Sequence, residues 1–182
     1  MTEPAADPAG RPAAFLDRDG VINVDHGYTY RPEDLVFTPT AIEGIRLLNR
    51  AGYLVIVVTN QSGVARGLYG IDDIERFHAH MQAELGRAGA RIDGFYHCAY
   101  HPEGVIAEFA REHEDRKPAP GMLLRAMREW NVRRDGSFMI GDRTSDGESA
   151  AAAGIPSLLI PANSGDLAQA VRSMLASNGV LL

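Results

Sequence analysis

Cysteine is almost absent from this sequence, since Cys98 is the only one among 182 residues. A single thiol excludes an internal disulfide and a zinc site built from several thiolates, and it is typical of proteins from a reducing cytoplasm. Long hydrophobic runs are absent too, because the longest, residues 53–58, is far too short to cross a bilayer. We therefore predict a cytoplasmic protein that makes no contact with a membrane.

An excess of positive charge is also missing. Lysine and arginine number 18 against 24 aspartates and glutamates, which gives a net charge of −6. A protein that binds the backbone of nucleic acids would show a basic excess, so we expect no nucleic-acid partner. Residues 1–12 lack the basic and apolar segments of a signal peptide and are predicted to form a disordered tail. Residues 13–182 are predicted to form a single domain and a monomer.

The rest of the sequence alternates between two hydrophobic patterns. Short apolar runs predict strands, and apolar residues at spacings of three and four predict amphipathic helices. The strands are expected at residues 13–16, 53–58, 94–98, 137–140 and 155–160, and the helices at residues 40–50, 72–86, 121–130, 149–153 and 166–176. Strands that alternate with helices predict an α/β fold, with a parallel sheet between two helical layers.

Three local expectations accompany this pattern. A polar loop should begin at Thr59, directly after the second strand. Ser145 and Glu148 have the spacing of a capping box ahead of the fourth helix. His78 and His80 lie on the second helix, and we expect both rings to face solvent.

Reactive side chains stand at the carboxyl ends of the predicted strands. Asp17 and Asp19 follow the first strand, Thr59 follows the second, and Asp142 follows the fourth. In a parallel sheet these ends lie along one edge, where ligands of such folds bind. Carboxylates suit Mg²⁺, whereas a hydroxyl and the ammonium group of Lys117 suit phosphoryl oxygens. The pattern indicates phosphoryl transfer to an aspartate.

The same residues carry a resemblance to a known family. Segments 17–21 (DRDGV), 58–60 (VTN) and 141–146 (GDRTSD), together with Lys117, resemble the four motifs of the haloacid dehalogenase (HAD) phosphatase superfamily in order and spacing. This resemblance implies a three-layer, Rossmann-like HAD fold with a central parallel sheet. The short chain leaves no room for a large cap domain.

A closer resemblance covers most of the chain. Residues 22–28 (INVDHGY), 59–67 (TNQSGVARG) and 116–124 (RKPAPGMLL) resemble the D-glycero-D-manno-heptose-1,7-bisphosphate 7-phosphatases. This family implies a Mg²⁺-dependent hydrolase that removes the C7 phosphate of its sugar substrate. The reaction belongs to the synthesis of nucleotide-activated heptose, a precursor of lipopolysaccharide.

The resemblance implies a role for each matching residue. Asp17 would attack the phosphorus atom, Asp19 would act as general acid and base, and Thr59 and Lys117 would stabilise the phosphoryl group. Mg²⁺ would be held by Asp17, by the backbone carbonyl of Asp19 and by Asp142. The residues implied to contact the sugar bisphosphate, the small-molecule partner, are Asp25, His26, Gly27, Tyr28, Asn60, Gln61, Ser62, Arg116 and Arg143.

One loop departs from the family pattern. The family holds a structural zinc ion through Cys-x-His and Cys-x-Cys motifs, and the corresponding region here, at residues 98–116, keeps only the first cysteine. Cys98, His101, His113 and Asp115 are each permissible zinc ligands and could still gather around a metal. Because mixed sets with one thiolate are rare among structural sites, we expect the loop to pack without zinc.

Two other functions fit parts of the pattern. Histidinol-phosphate phosphatases and other small sugar-phosphate phosphatases share most of the motifs, but the former usually lack a segment like residues 25–28. Receiver domains, which are signalling modules, also phosphorylate an aspartate beside a threonine and a lysine. They lack a second aspartate two residues after the nucleophile, so Asp19 argues against a signalling role.

Overall fold

The computed structural model describes residues 10–181, which form a five-stranded sheet with helices on both faces. The strands are β1 (Ala13–Leu16), β2 (Leu54–Asn60), β3 (Gly94–Cys98), β4 (Phe138–Gly141) and β5 (Ser157–Leu159). The helices are α1 (Ala41–Arg50), α2 (Ile71–Arg87), α3 (Gly121–Glu129), α4 (Thr144–Ala153) and α5 (Leu167–Ser177). The predicted α/β alternation is confirmed.

All neighbouring strands are parallel, and their order across the sheet is β3-β2-β1-β4-β5. Successive residues of β1 and β2 point to opposite faces of the sheet and pack into two separate hydrophobic cores. Leu16 and Val57 pack into the cluster beneath α1, α2 and α5, whereas Phe15 and Ile56 pack into the cluster beneath α3 and α4. Because both faces of the sheet are covered, β1 is entirely apolar and β2 is apolar up to Val58, so polar residues appear only where the two strands end.

The expected loop at Thr59 is wrong. β2 continues through Thr59 and Asn60, which lie opposite His97 and Cys98 of β3 in the parallel ladder. Pairing with the edge strand β3 therefore overrides the turn preference of this polar sequence.

The expected cap of α4 is also wrong. Ser145 lies inside the helix, and Asp146 caps it by accepting the backbone N–H groups of Asp142 and Arg143 at 3.1 and 3.0 Å. An aspartate near a helix N-terminus satisfies otherwise unpaired donors and interacts favourably with the helix dipole. The cap fixes Asp146 at the carboxyl edge of the sheet.

The solvent-facing position expected for His78 is wrong as well. Its ring is buried within the face of α2 that packs on the sheet, and only 6% of the residue is exposed. His80, two residues further along the same helix, is half-buried. A buried imidazole needs a polar partner, and that partner is described below.

The prediction of a disordered tail over residues 1–12 is wrong for residues 10–12. Arg11 forms a parallel bridge with Val132, and its guanidinium donates to the carbonyl of Gly52 at 2.9 Å. Residues 10–12 therefore belong to the fold, while residues 1–9 lie outside the described part. Across residues 10–181, no helix combines the length and hydropathy that a membrane crossing requires.

Candidate active site

Three carboxylates meet at the carboxyl edge of the sheet. Asp17 follows β1, whereas Asp142 and Asp146 follow β4, and one oxygen of each lies within 4.8 Å of the others. Lys117 reaches this group from the loop before α3. Its Nζ lies 2.8 Å from Asp17 Oδ1 and 2.6 Å from Asp146 Oδ1, and it donates to the carbonyl of Val58 at 2.9 Å. The strand ends thus place a buried ammonium group among buried carboxylates.

Gly20 allows Asp142 to approach the end of β1. The backbone of Gly20 has φ +86°, which glycine adopts readily, and a Cβ atom there would lie 2.6 Å from Asp142 Oδ2. The glycine that follows the two aspartates is therefore required for packing as well as for the turn.

The single positive charge of Lys117 does not balance the three carboxylates. Burial raises the pKa of Asp17 to about 7, although Lys117 opposes this rise, and burial together with Asp146 also raises the pKa of Asp142. Within residues 10–181, Asp142 Oδ1 is buried without a hydrogen-bond partner. A hard divalent cation would reduce the repulsion and supply the missing partner, so these residues fit Mg²⁺.

Lys117 and Asp146 support this site electrostatically. Burial disfavours the charged ammonium group, but Asp17 and Asp146 outweigh it and raise the pKa of Lys117 above its usual value. Lys117 is therefore a cation that lies beside Asp17. Asp146 Oδ2 accepts two backbone N–H groups, whereas Asp146 Oδ1, like Asp142 Oδ1, accepts no hydrogen bond among the described residues and is compensated only by its ion pair with Lys117.

Asp19 lies beside this cluster, with 18% of its side chain exposed. Arg18 Nη2 contacts both carboxyl oxygens at 2.9 Å. Asn23 Nδ2 donates to Oδ1 at 2.9 Å, and Gln61 Nε2 donates to Oδ2 at 2.8 Å. Three donors on different segments therefore fix the orientation of the Asp19 carboxyl group.

Gln61 links Asp19 to the end of β2. Its Nε2 also lies 2.9 Å from Thr59 Oγ1, and its Oε1 accepts a hydrogen bond from the Tyr69 hydroxyl at 2.7 Å. Burial raises the pKa of Tyr69 above its usual value, so this hydroxyl remains a donor. A side chain at Gly63 would overlap the Tyr69 ring, which explains the glycine.

The segment at residues 25–28 has an unusual backbone. Gly27 has φ 80°, and Tyr28 has φ 57°, a left-handed conformation that costs a residue with a side chain about 1–3 kcal/mol. Asp25 Oδ1 accepts the Gly27 N–H at 2.8 Å, and Asn163 Oδ1 accepts the Asp25 N–H at 2.7 Å. These bonds hold the Tyr28 side chain, which is 45% exposed, at the cavity.

A cavity of about 550 Å³ opens on these groups. Its walls include every predicted site residue except His26 and Asp142. His26 is exposed outside the lining, and its backbone N–H donates to Thr29 Oγ1 at 3.1 Å. Asp142 lies instead in the carboxylate cluster. The cavity is therefore lined by Asp17 and Asp19 and by three cationic side chains, Lys117, Arg116 and Arg143.

Three lining residues were not named as site residues from the sequence: Tyr69, Pro118 and Ser145. Pro118 directly follows Lys117, and Ser145 directly precedes Asp146, so proximity to a motif was an available signal for both. Tyr69 has no such neighbour, and only its contact with Gln61 reveals it.

Comparison with known proteins identifies the family. A family model described as HAD-hydrolase-like matches residues 115–179. A D-glycero-β-D-manno-heptose-1,7-bisphosphate 7-phosphatase of Rhodopseudomonas palustris is 50% identical over 146 residues, which cover 80% of this chain and 81% of the relative. The chain belongs to this family of HAD phosphatases.

Solved structures of HAD proteins have the same fold. A Mesorhizobium loti protein described as HAD-like has 34% identity and a TM-score of 0.83, and the match covers 95% of this chain and 91% of the other. The D,D-heptose 1,7-bisphosphate phosphatase of B. bronchiseptica, solved with magnesium and phosphate, has 31% identity and a TM-score of 0.72, with 93% and 88% covered. The Rossmann-like HAD fold is confirmed, and this HAD phosphatase is a phosphoric monoester hydrolase.

In this HAD phosphatase, the loop before α3 packs around Tyr100. Its ring stacks on His113 with centroids 4.1 Å apart and an interplanar angle of 2°. The Arg111 guanidinium lies 4.7 Å from the Tyr100 ring centroid, and Phe109 packs against the ring edge. The Tyr100 carbonyl accepts from Arg116 Nη1 at 3.3 Å, which connects this aromatic cluster to the cavity.

The candidate zinc ligands of this loop are engaged elsewhere. His101 Nδ1 and His113 Nδ1 each accept a backbone N–H, and Asp115 Oδ2 lies 2.7 Å from Arg125 Nη1. Across the described part of the chain, the Asp17–Asp142–Asp146 group is the one cluster of at least three possible metal ligands. Cys98 is therefore not part of a group of possible metal ligands in the described residues. The absence of zinc from this loop stays a prediction.

Tyr100→Ala is expected to raise KM for a sugar bisphosphate about five- to tenfold while changing kcat by less than about threefold. Alanine keeps the backbone carbonyl that accepts from Arg116 but removes the ring that packs against His113 and Arg111, so the loop that holds Arg116 should loosen. We expect this to cost about 1 kcal/mol of binding, whereas the reacting groups are left in place. Steady-state kinetics would measure KM and kcat separately. Tyr100→Phe, which keeps the stacked ring, is the control and should match the wild type. A fall in kcat with KM unchanged, or stoichiometric zinc in the purified protein, would contradict this account of the loop.

Proposed function

We propose that this protein is a Mg²⁺-dependent phosphomonoesterase that removes the C7 phosphate of D-glycero-D-manno-heptose 1,7-bisphosphate through an aspartyl-phosphate. The observation that carries the proposal is the cavity in which Asp17 and Lys117 lie with Arg116 and Arg143. This combination supplies one centre for a reacting phosphate and separate cations for a second one. The 50% identity to a relative named as this phosphatase supports the same substrate.

The carboxylate cluster supports the metal requirement. Asp17 and Asp142 would hold Mg²⁺, together with the backbone carbonyl of Asp19. When bound, the ion would neutralise charge that develops on the phosphoryl oxygens and on Asp17. The magnesium and phosphate in the related B. bronchiseptica enzyme are consistent with this requirement.

In the first step, an Asp17 carboxylate oxygen attacks phosphorus while the bond between phosphorus and the C7 oxygen breaks. Asp19 in its protonated form donates its proton to the departing C7 oxygen, which becomes a hydroxyl group. Lys117 and Thr59 donate to the phosphoryl oxygens as charge builds on them. The contacts that orient Asp19, from Arg18 and Gln61, support its role in this proton transfer.

In the second step, the carboxylate of Asp19 takes a proton from a water molecule as the water oxygen attacks phosphorus. The bond between phosphorus and the Asp17 oxygen breaks, which releases inorganic phosphate and restores the Asp17 carboxylate. Asp19 ends the cycle protonated, ready for the next substrate. One residue therefore serves as acid and then as base, and the atoms and charges of both steps balance.

Selectivity would come from loops, because the described part of the chain contains no cap domain between its strands and helices. The recognition segment, residues 25–28, lies on the cavity through Asp25, Gly27 and Tyr28. Arg143 Nη2 lies 3.4 Å from Asp25 Oδ2, and its side chain is 67% exposed, so this cation can turn toward an anionic substrate. Arg116 lies on the same cavity.

The decisive experiment measures phosphate release from heptose 1,7-bisphosphate, histidinol phosphate and common sugar monophosphates, in Mg²⁺ and in EDTA. We expect the heptose bisphosphate to have the highest kcat/KM, and EDTA to reduce its turnover at least about a hundredfold. Phosphorus NMR should identify heptose 1-phosphate as the product. Preference for histidinol phosphate would reject the proposed substrate while retaining the mechanism. Absence of turnover with every substrate would favour a phospho-accepting signalling module.

A further inference from the structure

Arg18 separates the two aspartates of the first motif, and in the steps above it only contacts Asp19. It is 0% exposed and is among the largest fully buried side chains of the described residues. A buried guanidinium is costly unless its charge and its donors are paired. The fold therefore retains a buried charge next to Asp19 at an energetic cost. The contacts of the Arg18 guanidinium indicate its role.

The guanidinium joins three segments. Nε donates to Asp19 Oδ1 at 3.1 Å, and Nη2 donates to both Asp19 oxygens at 2.9 Å and to the carbonyl of Thr29 at 2.6 Å. Nη1 lies 3.2 Å from His78 Nε2, and the guanidinium carbon lies 4.6 Å from the centroid of Phe77. Thr29 directly follows the recognition segment. A single planar group thus contacts the proposed acid and base and the loop proposed to bind the sugar.

His78 is suited to accept from Arg18. Its ring stacks on Phe95 with centroids 4.4 Å apart and an interplanar angle of 18°, and the nearest other imidazole, His97, is 6.2 Å away. Burial, Arg18 and His97 lower the pKa of His78 to about 2. The imidazole is therefore neutral, and its Nε2 can accept the hydrogen bond that Arg18 Nη1 donates.

We propose that His78 and Arg18 are positioning residues for Asp19: His78 holds the Arg18 guanidinium, and the guanidinium orients the Asp19 carboxyl group. This inference rests on the proposed function, because it assumes that Asp19 transfers protons. The fork geometry makes the link specific. If Nη1 loses its acceptor, the planar group can rotate, and the bonds from Nε and Nη2 to Asp19 lose their alignment together.

The test compares two leaving groups. His78→Leu replaces the imidazole, and with it the Nε2 acceptor, by an apolar side chain of similar bulk. We expect this variant to lower kcat/KM for the heptose bisphosphate about 10- to 100-fold. For p-nitrophenyl phosphate we expect a loss of less than about threefold, because p-nitrophenolate leaves without a proton from Asp19. His78→Gln, whose amide oxygen can accept from Arg18, should recover most of the lost activity.

His80→Leu is the matched control, since His80 lies on the same helix and no contact joins it to Arg18 within residues 10–181. Urea unfolding would show that each variant is folded, and His78→Phe would replace His78→Leu if the latter is not. Equal losses on both substrates, no loss at all, or failure of His78→Gln to recover activity would overturn the inference alone. A wild-type protein that hydrolyses neither compound would overturn the proposed function together with it.

Discussion

Asp17→Asn is expected to reduce phosphate release from the heptose bisphosphate at least about a thousandfold and to leave the protein folded. The amide cannot form the covalent bond to phosphorus, and loss of a nucleophile is among the largest single effects in enzymes. Lys117 would keep Asp146 and the carbonyl of Val58 as partners. In EDTA, we expect the urea midpoint to equal or exceed that of the wild type, because one of three crowded carboxylates becomes neutral.

Asp72→Asn is the control for this change, since Asp72 is exposed in the first turn of α2 and lies outside the cavity. Phosphate release would be measured with Mg²⁺ at saturating substrate, and phosphoenzyme by rapid acid quench. Hydrolysis by Asp17→Asn above about a hundredth of the wild-type rate would reject Asp17 as the nucleophile. Loss of folding in this variant would instead show that Asp17 is chiefly structural.

The position of the proposed active site, at the carboxyl edge of the sheet, follows from local patterns in the sequence. Asp17, Asp19 and Asp142 come directly after short buried strands, and parallel strands end together whatever their order in the sheet. No knowledge of side-chain packing is needed for that step. The same logic misjudged Thr59, because a polar dipeptide at the end of β2 is compatible with both a turn and a ladder. Its pairing with β3 decided the outcome.

The contacts that hold Asp19 in place join residues that are far apart in the sequence. Arg18 and His78 are separated by 60 positions, and neither residue signals the other in the sequence. The burial of His78 was nevertheless readable, since Ile74, His78, Met81 and Leu85 recur at helical spacing on the buried face of α2. Treating histidine as a polar surface residue hid this pattern.

The strand predicted at residues 94–98 and the helix predicted at residues 121–130 leave a long loop between them, but the packing of this loop was not predictable. Tyr100 and His113 are 13 positions apart, and their stacking follows no period of a helix or a strand. As permissible zinc ligands, His113 and Asp115 were considered for their metal-binding groups, whereas in the structure His113 stacks its ring on Tyr100 and Asp115 forms an ion pair with Arg125. Residues of these types serve either role, and only the tertiary contacts distinguish them.

Asp19→Asn is expected to block hydrolysis of the phosphoenzyme, whereas Asp17→Asn prevents its formation. With p-nitrophenyl phosphate, the variant should release about one equivalent of p-nitrophenolate in a burst and then nearly stop. The first step needs no proton for this leaving group, whereas hydrolysis of the phosphoenzyme lacks its base and should slow about 10²- to 10⁴-fold. With the heptose bisphosphate both steps should be slow, so little phosphoenzyme should accumulate. Rapid acid quench would measure the phosphoenzyme in each case.

The stability of Asp19→Asn provides an independent check on the contacts of this residue. Arg18 is fully buried, and Asp19 is the one carboxylate within ion-pair distance of it in the described part of the chain. Breaking such a pair leaves an uncompensated charge, so we expect the free energy of unfolding to fall by about 3 kcal/mol. Asp17→Asn, in contrast, should be no less stable than the wild type. If Asp19→Asn turned over both substrates normally, Asp19 would be a structural partner of Arg18, and another group would have to act as the acid and base.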